Sequence, residues 1–164
     1  MSLVFVPQLT AEINVFISDS NFSAEVKRDE WGVPHIYGKS DSDVTFGLGY
    51  AHSEDDYKTI EDIIFASRGE LASVYGRDAA VNDYYVHLMN FWELVDQKYE
   101  SEVDDDVKII CEGYAAGINK YLADNPEKRK KNFYNVTSRD TVSYTHLRAH
   151  ETVLDLVCRL LLEK

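Results

Sequence analysis

Trp31-Gly32-Val33-Pro34 restricts the start of this chain more than any other stretch. Pro34 fixes φ and has no N–H to donate, so it cannot sit inside a central strand, and Gly32 permits the positive φ of a tight turn. On either side lie β-rich runs, 24–27 and 35–37. A strand, a turn and a strand are expected. The residues beyond are of a different kind, with apolar side chains recurring every three or four positions, the mark of helices buried on one face.

Asp41-Ser42-Asp43 offers an N-cap and negative charge to a helix starting near Val44. A second run sets Ile60, Ile63, Ile64, Ser67, Leu71 and Val74 in one stripe that stops at Gly76. Gly69 lies inside it, where glycine costs about 1 kcal/mol against alanine and signals close backbone packing or a break. A third helix presents Val81, Tyr84, Tyr85, Leu88, Trp92, Val95 and Tyr99 on one face. A fourth presents Val107, Ile110, Cys111, Tyr114, Ile118, Tyr121 and Leu122, opened by Asp104-Asp105-Asp106 and closed before Pro126. Gly113 and Gly117, one turn apart, would admit a neighbouring backbone. The aromatic stripes are read as core rather than as a ligand box.

Five segments follow one another in order: Val-Lys-Arg-Asp-Glu-Trp-Gly-Val-Pro-His-Ile-Tyr (26–37); Phe46-Gly47-Leu48-Gly49-Tyr50-Ala51-His52-Ser53-Glu54-Asp55-Asp56; Ser67-Arg68-Gly69-Glu70-Leu71-Ala72; Val74-Tyr75-Gly76; and Glu112-Gly113-Tyr114-Ala115-Ala116-Gly117-Ile118-Asn119. Each is weak alone. Together they resemble the opening of the α chain of penicillin-acylase-type amidohydrolases, over residues 24–141. The resemblance gives Gly32, Pro34, His35, Gly49, Arg68, Gly69, Gly76, Tyr114 and Gly117 structural roles in the family's motifs. It implies an α/β, four-layer αββα N-terminal-nucleophile fold, of which this chain would hold a short β-hairpin followed mainly by α-helices. It further implies a self-cleaving precursor, a β chain as partner, and an N-acyl amide substrate such as a penicillin side chain or an acyl-homoserine lactone. The nucleophilic Ser, the oxyanion hole and the residues holding calcium, where calcium is bound, would all come later than this chain. No catalytic, cofactor-binding or metal-ligating residue is therefore expected within it, and calcium belongs, if anywhere, to the full protein.

Residues 142–164 have another origin on this reading. Back-translated, they can be written in codons that look like a transposase-type sequencing-library adapter in frame over 142–152 and its far end over 156–164, so three units are expected: an N-terminal extension (1–22), a partial α-chain domain (23–141) and an adapter-derived tail (142–164). The competing reading of the tail is an amphipathic helix carrying Leu156, Leu160 and Leu161. Setting the tail aside removes His146-x-x-x-His150-Glu151 as a metal motif and Cys158 as a partner for Cys111, which becomes a small core residue.

The tail's formal charges cancel, so the whole net charge of −12 falls on residues 1–141 and argues against nucleic acid and anionic membranes as partners. No run approaches the roughly 20 apolar residues of a membrane span. The family is usually exported to the periplasm or medium, yet residues 1–20 lack Lys and Arg and are interrupted by Pro7, Glu12 and Asn14, so no signal peptide is visible. Lys128-Arg129-Lys130-Lys131 reads as a solvated loop. Glu54-Asp55-Asp56 reads as a salt-bridged helix start rather than a calcium or acid–base site, because adjacent residues on a helix diverge. His35, His52 and His87 lack metal partners, and Ser2 lacks a Gly-Ser processing context. The expected whole is an inactive α-chain fragment of an amidohydrolase. The alternative is a small acidic helical interaction domain without catalysis.

Overall fold

The structure is a computed structural model that describes residues 13–143; Ser2, His146, His150, Glu151, Leu156, Cys158, Leu160 and Leu161 lie outside the described residues. Three strands, β1 (Ile13–Ser18), β2 (Ser23–Arg28) and β3 (Pro34–Gly38), form an antiparallel sheet in the order β1-β2-β3. The turn before β3 is held by Asp29, whose Oδ1 accepts the N–H groups of Trp31 (3.0 Å) and Val33 (2.9 Å), while Gly32 takes φ +82°. Pro34 opens β3 on the sheet edge, where its missing donor costs nothing.

The expected hairpin thus gains a third strand from within the segment assigned to the N-terminal extension. Ile17 is buried while Phe16 points outward, an alternation with a period of two. Reading residues 1–20 only for the features of a signal peptide passes over that period.

The first two helical runs are one element, α1 (Asp41–Arg68), kinked at Asp56 (φ −152°, ψ 63°). Its cap is Ser40, one residue earlier than expected: Ser40 Oγ accepts the Asp43 N–H at 3.2 Å and donates to Asp43 Oδ2 at 2.9 Å, a capping box. Gly69 resolves the ambiguity of the stripe as a break, turning left-handed (φ +67°) to end α1. Leu71 and Val74 therefore pass to the short α2 (Ala72–Tyr75) and its cap. The single third helix is likewise two, α3 (Ala80–Met89) and α4 (Phe91–Glu102), because Asn90 adopts φ +54° between them. The last long helix, α5 (Asp105–Asp124), matches its expected limits. A final helical segment, 138–143, runs to the edge of the described residues; it crosses the expected boundary at 142, and Ser143 is fully buried.

The core lies where α1 packs on the inner sheet face (Ile17, Ala24, Val26) and on α5. The two helices approach closely because a side chain at Gly49 would strike the Tyr114 carbonyl, and one at Gly117 the Phe46 carbonyl. Aromatic rings fill the rest edge-on, Tyr50 against Tyr121 (5.8 Å) and Phe65 against Phe133 (5.5 Å). The α3–α4 stripe is not one core face. Val95 and Tyr99 are buried, but Val81, Tyr84 and Leu88 are 76%, 69% and 63% exposed, since the break at Asn90 turns the two halves apart.

Candidate functional site

The acidic triplet is divided by the local geometry. Arg28, at the end of β2, reaches Glu54 Oε2 (3.1 Å) and Asp55 Oδ1 (2.8 Å) with Nη2, and donates from Nη1 to the Gly32 carbonyl (2.8 Å), tying the turn to α1. Asp56, at the kink, is instead held below the ordinary carboxylate range by the Thr59 side chain first and then by the Thr59 N–H, which it accepts at 3.2 Å. Asp43 joins sheet to helix. The N–H of Ser23 (2.8 Å), above all, and the bonds from Ser40 keep its carboxyl below the usual 3.8.

The histidines do not converge. His35 Nε2 pairs with Asp29 Oδ2 at 3.2 Å, His52 Nδ1 bonds the Tyr114 hydroxyl at 2.8 Å, and His87 lies beside Gly69. Among the described residues no group of three or more His, Cys, Asp or Glu is arranged to hold a metal ion. The remaining motif residues stand at joints of the fold: Gly49 and Gly117 between α1 and α5, Tyr114 over His52, and Gly76 (φ +77°) between α2 and α3.

Arg68 is the exception, a functional group drawn into the interior. Its Nε and Nη2 grip Asp140 Oδ1 (2.7 Å) and Oδ2 (2.9 Å), its Nη2 also donates to the Asn135 carbonyl (3.1 Å), and Asp140 is only 2% exposed. The same Asp140 Oδ2 accepts the Thr137 N–H (2.7 Å) and hydroxyl (2.8 Å), capping the segment 138–143. Asn119 of α5 clamps Val136 through both backbone groups, at 2.8 and 2.9 Å, and Tyr99 donates to Ser138 Oγ at 2.7 Å. The basic run is not wholly solvated either. Lys130 pairs with Glu61 Oε2 (2.5 Å), a residue 3% exposed, and sits over the Phe65 ring. None of these partners was anticipated. Thr137-x-x-Asp140 is nonetheless a capping-box spacing visible in the sequence, whereas the reach from Arg68 to Asp140 has no local signal.

Next to this clamp lies an apolar cavity of about 150 Å³ between α1 and α5, walled by Ile60, Ile63, Ile64, Tyr114, Ile118 and Val136, with His52, Asp140 and Thr141 as its polar lining. The nearby buried hydroxyls are spent on backbone: Ser53 donates to the Gly49 carbonyl (2.7 Å) and Ser67 to that of Ile64 (3.0 Å). Burial, and then the charge of Glu112, push the Cys111 thiol up, the opposite of what a nucleophile needs. Desolvation and the neighbouring Asp124 push Tyr50 up to about 12, so it stays protonated. The described residues supply a recess and a buried clamp, and hydroxyls that meet carboxylates, Ser40 on Asp43 and Thr137 on Asp140, sit at helix starts as caps.

Residues 23–160 match a family model described as Penicillin amidase. That match runs past position 142, into the segment read as adapter. The acyl-homoserine lactone acylase PvdQ of Pseudomonas fluorescens is 27% identical over 128 residues, covering 73% of this chain and 16% of the relative. Penicillin G acylase of Escherichia coli is 30% identical over 102 residues, covering 61% of this chain and 12% of the relative. A thermostable penicillin G acylase from Alcaligenes faecalis, in its tetragonal form, superposes with a TM-score of 0.62 at 29% identity, covering 74% of this chain and 69% of that one. The chain spans between 12% and 17% of the length of the curated relatives it matches.

Proposed function

The chain belongs to the penicillin amidase family, and on that premise we propose that it is the N-terminal part of the α chain of an N-acyl amide hydrolase whose catalytic residues lie further along the parent polypeptide. The observation that carries the reading is the match across residues 23–160, against relatives several times longer that are named for penicillins and acyl-homoserine lactones.

On this reading the parent is a precursor that cleaves itself immediately before a Ser, less often a Thr or Cys. One residue then carries both the hydroxyl and a free α-amine, whose ordinary pKa of about 7.7–8.0 suits a base at working pH. The Ser Oγ attacks the amide carbonyl carbon while the amine takes its proton and passes it to the leaving nitrogen. The C–N bond breaks, an acyl ester remains, and water hydrolyses it. Backbone N–H groups and an Asn side chain hold the oxyanion. This chain's share is scaffolding for a β chain of the same precursor, and a calcium ion belongs to the full protein if to either. Residues 142–164 are proposed to be adapter-derived, which the codons of the nucleotide record test directly.

The functional test is the complete coding sequence. It should continue past Thr141 to a Gly-Ser, Gly-Thr or Gly-Cys opening a strand-rich region. Changing that nucleophile to Ala should leave an uncleaved precursor on a denaturing gel and abolish turnover of a chromogenic phenylacetyl or long-chain acyl amide. The 164-residue chain alone should show no turnover. A gene that ends within a few residues of Thr141, or a variant that still matures and hydrolyses the amide, would return the choice to a non-catalytic acidic interaction domain.

A further inference from the structure

Resting on that reading, we infer that the outward face of α3, made by Val81, Tyr84 and Leu88, is a surface on which the remainder of the parent polypeptide docks. The three side chains are 76%, 69% and 63% exposed and stand at i, i+3 and i+7, so they share one face of the helix. A run of large apolar side chains on one exposed face marks an interaction site rather than ordinary surface.

The helix is not free to roll this face inward. Asp83 accepts the N–H groups of Leu71 (2.9 Å) and Ala72 (2.8 Å), and Asn82 Nδ2 donates to the Ala66 carbonyl (2.9 Å). Val86, at 1% exposure, is already packed with Phe91, whose ring Tyr85 meets edge-on at 5.9 Å. Turning Val81 and Leu88 into the core would break those bonds and expose Val86, so the stripe is fixed outward before any partner arrives.

Three occupants compete. An anionic membrane is disfavoured because the chain carries −12. A second copy would bring two such charges together. The remainder of the precursor is the occupant that the lengths favour, since this chain spans only 12–17% of its relatives. The partner surface is apolar, with a hydrogen-bond acceptor opposite the Tyr84 hydroxyl.

The experiment compares maleimide labelling of Val81→Cys, Leu88→Cys and, as an exposed charged reference, Lys98→Cys, each with Cys111→Ser and, in the 164-residue chain, Cys158→Ser, in that chain and in the intact parent. Modification is read by mass spectrometry at each position. In the chain all three sites label rapidly; in the parent, positions 81 and 88 label at least tenfold more slowly while position 98 does not change. Equal rates at 81 and 88 in both proteins overturn the assignment. Protection already present in the chain, rising with its concentration, overturns it in favour of a second copy. Amide turnover by the wild-type parent is scored separately, so protection without turnover sinks the hydrolase reading and leaves the docking surface standing.

Discussion

The body formed by the sheet, α1 and α5 and the arm formed by α3 and α4 are written in the same helical code, yet they bury their apolar residues differently. In the body, Phe46, Phe65, Ile118 and Leu122 are almost wholly excluded from water, and Gly49 and Gly117 bring the two helix backbones together. In the arm, Val86 and Phe91 make a small separate core and Val95 and Tyr99 are buried further along α4, while Val81, Tyr84 and Leu88 stand in solvent. Periodicity states that a helix has an apolar face. It does not state whether that face finds its partner inside the chain. Glycine carries the distinction, because close backbone approach needs a partner at a defined distance, and α3 and α4 contain none.

The comparison is broken most severely at Asp140. Asp140→Ala should destabilise the 164-residue chain by about 3–5 kcal/mol, since it strands the Arg68 guanidinium, 12% exposed, without its carboxylate. Urea unfolding followed by circular dichroism measures it, and a loss under about 1 kcal/mol would mean that the clamp does not belong to the body. Next comes Gly117→Ala, at about 2–3 kcal/mol, because the new methyl group meets the Phe46 carbonyl rather than a yielding side chain. The same titration checks it, and an unchanged midpoint would show that α1 and α5 are further apart than described.

A smaller effect is expected on acidification. The folded pKa of Asp43 lies below its ordinary value, so its contribution is present above about pH 4 and fades as pH falls through the folded value. Asp43→Asn should flatten part of the loss of stability between about pH 5 and pH 2, measured as urea midpoints across that range; identical slopes for both proteins would remove Asp43 as the joint between β2 and α1. Smallest of all, Val81→Ala and Leu88→Ala should each change the chain's stability by less than about 0.5 kcal/mol. A loss several times larger would mean that the arm's stripe is covered within this chain.

Much of the body was legible from residues alone. The turn at Gly32-Val33-Pro34, the limits of α5 and the Gly113–Gly117 spacing each rest on local chemistry that a sequence displays. The breaks were harder. Asn90 interrupts a continuous apolar stripe, and whether an Asn turns left-handed depends on what the flanking helices must reach, which is tertiary. Arg68 was singled out by motif, while its partner Asp140 lies 72 positions away and is joined to it only by folding. Strand β1 is a different case, because its period of two, with Phe16 outward and Ile17 inward, is local and present in the residues themselves.

The contact between α1 and α5 also has a meaning in polymer terms. Bringing Gly49 against Tyr114 closes a large loop, and everything from Gly69 to Asp104 is contour length within it. The entropy of closing such a loop grows only with the logarithm of its length, so doubling it costs roughly 0.6 kcal/mol. The arm is therefore the part of this chain whose length can drift at little thermodynamic cost, while the register of α1 on α5, set by Gly49, Gly113 and Gly117, cannot move by a single residue.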